Sequence, residues 1–107
     1  MPYKEELDAM IASVLHPMDT TRKKMFGGTC YLIDGNMICG VYRNFVILRL
    51  GQADADAALR QGHVRAFDIT GRPMKGWVMI DEADLTQEEL AAWIERAIRF
   101  GRSLPPT

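Results

Sequence analysis

Asp34-Gly35 restricts the fold of this chain more than any other feature, because it joins two runs rich in β-branched and aromatic residues through a pair suited to a type I′ turn. Such a turn needs positive φ at both central positions, which glycine adopts freely and aspartate tolerates. It commits Thr29 to Ile33 and about Asn36 to Tyr42 to an antiparallel hairpin. Arg43-Asn44 reads as a second tight turn into Phe45 to Leu50, which makes a three-strand meander closed by Gly51. Arg22 to Met25 begins the first extended run; Gly27-Gly28 interrupts it and Thr29 resumes it.

Helical periodicity brackets the meander. Between Tyr3 and His16, Leu7, Met10, Ile11, Val14 and Leu15 fall on one helical stripe that Pro17 ends. Ala53 to Leu59 predicts a short helix before Gly62, and two further strands are expected near Ala66 to Ile69 and Gly76 to Ile80. Thr86 and Glu89 have capping-box spacing, and Leu90, Trp93, Ile94, Ala97 and Ile98 supply a second stripe that ends near Arg102. The order α-β-β-β-α-β-β-α implies an α+β, two-layer domain: an antiparallel sheet with helices on one face. A length of 107 residues, with 48% apolar and 25% charged, suits a single domain spanning residues 1–107 with a core of its own.

Counting outward from Asp34-Gly35 sets Ile33 opposite Asn36, Leu32 opposite Met37 and Cys30 opposite Cys39. Through Arg43-Asn44, Cys39 faces Leu48 and Val41 faces Val46. One face then carries Cys30, Leu32, Met37, Cys39, Val41, Val46, Leu48 and Leu50, and reads as the core. The other carries Tyr31, Ile33, Ile38, Gly40, Tyr42, Phe45, Ile47 and Arg49, an aromatic and arginine content typical of protein interfaces. Tyr31, Ile38, Tyr42, Phe45, Ile47 and Arg49 are therefore candidates for a surface that meets a protein partner, most simply a second copy of the chain. The alternative is that a terminal segment folds over this face.

Little in the sequence carries chemistry. Opposed Cys30 and Cys39 invite a redox pair, while their aliphatic surroundings favour inert core thiols. His16 and His63 belong to no nucleophile or metal-ligand pattern. The carboxylates Asp81, Glu82, Asp84, Glu88 and Glu89 gather where a helix N-terminus favours negative charge. No catalytic, metal or cofactor residue is implied. Arg22, Lys23 and Lys24, with Arg72, Lys75 and Trp77, could form a basic patch for a small anion or nucleic acid if their segments meet; isolated surface cations are the simpler reading. A formal net charge of -1 confines any such attraction to a local patch. The N-terminal stretch has no long apolar region, and no apolar run approaches the roughly twenty residues that span a bilayer, so a cytoplasmic protein without membrane attachment is expected.

Three segments carry a resemblance. Lys23-Lys24-Met25-Phe26-Gly27-Gly28, Gly35-Asn36-Met37 and Thr70-Gly71-Arg72-Pro73-Met74-Lys75-Gly76-Trp77-Val78 resemble the N-terminal domain of the TfoX/Sxy competence regulators, and Arg99 to Pro105 is similar to that family's closing helix and tail. The resemblance spans nearly the whole chain. It implies an α+β domain similar to the secretion-chaperone fold, and it brings no catalytic residues. The function it implies is a non-enzymatic bacterial interaction or regulatory module. The alternative is a regulator that binds a small anionic ligand or nucleic acid through the basic loop.

Overall fold

The Asp34-Gly35 turn forms as its residue types demand, with φ of 53° at Asp34 and 84° at Gly35. The computed structural model of the chain describes residues 5–15, 20–25, 28–68, 71–72 and 74–105. Helix α1 (Glu5–Leu15) leads into β1 (Thr21–Met25), β2 (Gly28–Ile33), β3 (Asn36–Tyr42) and β4 (Phe45–Arg49). Helix α2 (Gln52–Ala58), β5 (Val64–Ala66), β6 (Trp77–Asp81), a single 3-10 turn (Glu82–Asp84) and α3 (Gln87–Ser103) complete the order. The six strands make one antiparallel sheet in the order β1-β2-β3-β4-β6-β5. The α+β class read from the sequence is the class observed.

Two elements differ from the expectation. Arg22 to Met25 and Thr29 to Ile33 belong to two antiparallel strands, with Met25 opposite Gly28, and not to one interrupted run; Gly27 lies outside the described residues. Strand β5 occupies Val64–Ala66 instead of Ala66 to Ile69, since Phe67 and Asp68 have already left the ladder; Ile69 lies outside the described residues.

The helices pack on one face of the sheet. Leu7, Ile11 and Leu15 of α1 and Leu90, Trp93, Ile94, Ala97 and Ile98 of α3 are buried there with Val41, Val46, Leu48, Val78 and Ile80. Each fully buried aliphatic side chain contributes about 2 kcal/mol by leaving water. The predicted capping box starts α3: Glu89 N–H donates to Thr86 Oγ1 at 3.1 Å and Thr86 N–H donates to Glu89 Oε1 at 2.9 Å.

A bulge inverts part of the predicted face assignment. Ile33 pairs with Asn36 and Leu32 with Met37 as counted, but Tyr31 then pairs with Cys39 and Cys30 with Gly40. Ile38 is the extra residue, so Ile38 and Cys39 both turn toward the helices. All of β2 consequently reads in the opposite sense. Tyr31 and Ile33 enter the helix-side core, while Met37 joins the open face. The pairs Cys39 with Leu48 and Val41 with Val46, set by the Arg43-Asn44 turn, are as expected.

Tyr31 finds a polar partner inside. Asp8 on α1, itself buried, accepts from Tyr31 Oη at 2.5 Å, Thr29 Oγ1 at 3.0 Å and Arg22 Nη2 at 2.5 Å. Burial pushes the Asp8 carboxyl up, but these three donors outweigh it and hold the group below the usual carboxylate range. One carboxylate thus ties α1 to β1 and β2.

Candidate functional site

On the side away from the helices, alternation brings Met37, Tyr42, Phe45, Ile47, Trp77 and Met79 together. The chain leaving β5 lays Phe67 across this face, which buries Ile47 and Met79 with it. Met74 N–H bonds to Phe67 C=O at 3.0 Å and Trp77 N–H to Met74 C=O at 3.2 Å, which folds the segment back toward β6. The Phe67 and Trp77 rings meet at 5.8 Å with planes tilted by 41°. The cover is therefore an internal segment and a partial one. Met37, Tyr42, Phe45 and Trp77 stay partly exposed.

Each of the three part-exposed rings carries an arginine. The guanidinium carbon of Arg43 lies 5.2 Å from the Tyr42 ring centre, that of Arg65 5.4 Å from Phe45, and that of Arg49 5.4 Å from Trp77. The strand register pairs Arg49 with Trp77 across β4 and β6, which places both on one side of adjacent strands. A guanidinium stacked on a ring keeps its N–H edge free for hydrogen bonding, so this face offers apolar area and directed donors together.

Of the residues proposed for a partner face, Tyr42, Phe45 and Arg49 lie together on this surface. Ile47 lies on the same side under Phe67 and is fully buried. Tyr31 and Ile38 lie on the helix-covered side, through the bulge, and cannot contribute.

The basic residues do not gather into one patch. Arg22, Lys23 and Lys24 belong to edge strand β1, and Trp77 lies four strand spacings away on β6, about 19 Å at ~4.8 Å per strand. Arg72 and Lys75 are exposed in the β5–β6 connection beside Trp77, and Arg22 is committed to Asp8. Trp77 packs against Phe67 and under Arg49.

Cys30 and Cys39 are not opposed, and they lie on opposite sides of the sheet. Both are buried and neither forms a disulfide. Burial pushes both thiols up; at Cys30 the nearby Lys23 charge offsets part of that rise. A thiol reagent that labels only exposed cysteine is expected to leave both residues unmodified in native protein and to modify both once denaturant unfolds it. Rapid labelling of either under native conditions would contradict this placement.

The Asp8 cluster is the polar feature missed in the sequence. Asp8, Ile11 and Leu15 stand at i, i+3 and i+7, so the aspartate occupies the buried stripe itself, a signal that was present in the spacing. Among the described residues no three or more histidine, cysteine, aspartate or glutamate side chains are grouped to hold a metal ion, and no helix is long and apolar enough to cross a membrane.

A family model described as the TfoX N-terminal domain matches residues 14–101, most of the chain. No curated protein and no solved structure matches it.

Proposed function

Because this chain belongs to the TfoX N-terminal domain family, we propose that it is a non-enzymatic, TfoX-like regulatory module whose working surface is the open sheet face around Tyr42, Phe45 and Arg49. The observation that carries this reading is the set of part-exposed rings, each with an arginine stacked on it. Aromatic and arginine side chains dominate interface hot spots, because they combine large buried area with directed hydrogen bonds. The partner is a protein, most simply a second copy of the chain joined about a two-fold axis. The module works in the bacterial cytoplasm, a reducing setting that suits two unbridged buried thiols.

Sedimentation equilibrium over a wide concentration range, at low and high salt, tests the reading. The chain is expected to sediment as a dimer with little salt dependence, since apolar contact dominates the face. Tyr42→Glu, which sets a charge in the middle of it, is expected to weaken association about thirtyfold, about 2 kcal/mol. A strict monomer at every concentration would remove the second-copy partner, and a dimer indifferent to Tyr42→Glu would remove this face.

A further inference from the structure

We infer that the groove between the start of α2 and the last turns of α3 docks an acidic protein segment, with carboxylates on Arg96 and Arg99 and an apolar side chain against Phe100. Two adjoining depressions of about 280 and 270 Å³ form this groove, and Leu50, Asp54 and Phe100 line both. Arg96 and Arg99 line the first. Each volume falls below the roughly 300 Å³ at which small-molecule cavities begin. The shape suits side chains of a longer partner.

The floor is fixed by backbone. Leu50 N–H and Gly51 N–H both donate to Gly76 C=O, at 2.9 and 3.2 Å. Gly51 has φ of 87°, and a β-carbon there would lie 2.6 Å from Phe100 Cε1, so the ring seats directly on the glycine. The ring nevertheless remains partly exposed. Arg49 closes one side, its guanidinium carbon 5.7 Å from the Phe100 ring centre.

The charge points to the occupant. Arg96 and Arg99 stand three residues apart on α3, and among the described residues neither makes an ion pair. The Arg96 guanidinium carbon lies over the Trp93 ring, 4.5 Å from its centre, and a guanidinium held on a ring can still offer N–H donors to a carboxylate. Cations near a helix C-terminus complement its dipole. That effect alone accounts for neither an uncovered ring beside them nor a concave floor. Asp54 lines both depressions while the arginines line one, so an unbroken row of phosphates meets repulsion along the groove, whereas a protein segment can set its carboxylates on Arg96 and Arg99 and a peptide N–H on Asp54. A protein segment therefore fits better than a nucleic acid.

The test uses the full chain and a fluorescein-labelled peptide of alternating glutamate and leucine, followed by anisotropy at low salt. Saturable binding is expected. Arg99→Glu should weaken it about tenfold, and Asp54→Lys should tighten it several-fold. Both substituted residues are exposed, so the fold is retained, as a thermal melt would verify. Tyr42→Glu should leave peptide binding unchanged, which separates this groove from the open face. The inference is overturned by absent binding, by an unaffected Arg99→Glu chain, or by equal loss in Tyr42→Glu. Tighter binding of oligothymidylate, abolished by Arg99→Glu, would overturn it in favour of a nucleic-acid groove.

Discussion

Gly28→Val is expected to cost about 3 kcal/mol or more, a large share of the roughly 5–15 kcal/mol that holds a domain folded. A β-carbon at Gly28 would lie 1.9 Å from Val41 O and 3.0 Å from Val41 C, both backbone atoms that no rotamer change can move aside. The diagonal position repeats the situation: a β-carbon at Gly40 would lie 2.3 Å from Thr29 O. These two glycines let β2 and β3 cross closely where Thr29 pairs with Val41. Gly62→Ala is the matched control, because nothing lies within 4 Å of a β-carbon there, and it should stay within about 0.5 kcal/mol of the parent. Denaturant titration of both chains checks the contrast. Equal stability would mean that the strands can separate without penalty.

Asp8→Ala is the second large effect, with an expected loss of about 2–4 kcal/mol. The substitution strips the carboxylate acceptor from Tyr31 and Thr29, both buried, and from Arg22, and leaves Tyr31 only its longer 3.3 Å bond to the Asp8 backbone carbonyl. Arg22 is 44% exposed, so water screens its share and most of the loss falls on the two hydroxyls. The pH dependence follows from the lowered Asp8 value. A carboxyl that ionises more readily in the folded chain adds stability that is complete above its unfolded pKa of about 3.9. That contribution disappears as pH falls through the lower folded value. Asp8→Asn, similar in shape and uncharged, should therefore show a shallower acid limb than the parent in melts between neutral and strongly acidic pH. Identical acid limbs would mean that Asp8 is not the anchoring carboxylate.

The parts of the fold that periodicity controls were legible. The stripes of α1 and α3, the Thr86-Glu89 capping box and both tight turns depend on residues close in sequence, where spacing has direct geometric meaning. Tyr42, Phe45 and Arg49 were placed together because the Arg43-Asn44 turn keeps the register from β3 into β4. Tyr31 and Ile38 were misplaced because Met37 and Ile38 are both apolar, so alternation gives no sign of the residue inserted between two ladder pairs. Ile47 was set on the correct side, yet its cover, Phe67, arrives from twenty residues later, and only the tertiary path brings it there. The arginine groove escaped for the same reason. Arg96 and Arg99 are readable as one helix face, whereas their meeting with Leu50 and Asp54 joins distant parts of the chain.

The bulge at Ile38 has the character of a frameshift written in three dimensions. On the Asn36 side of it, and on the Cys39 side, inward and outward alternate correctly, but in opposite phase. Taking that one residue into the ladder would leave every side chain chemically unaltered and still exchange inside for outside along β2. Tyr31 would then leave Asp8, and Cys30 would take its place beneath the helices. A chain without the inserted residue would keep all its surfaces, since the pairs on either side of Ile38 do not involve it.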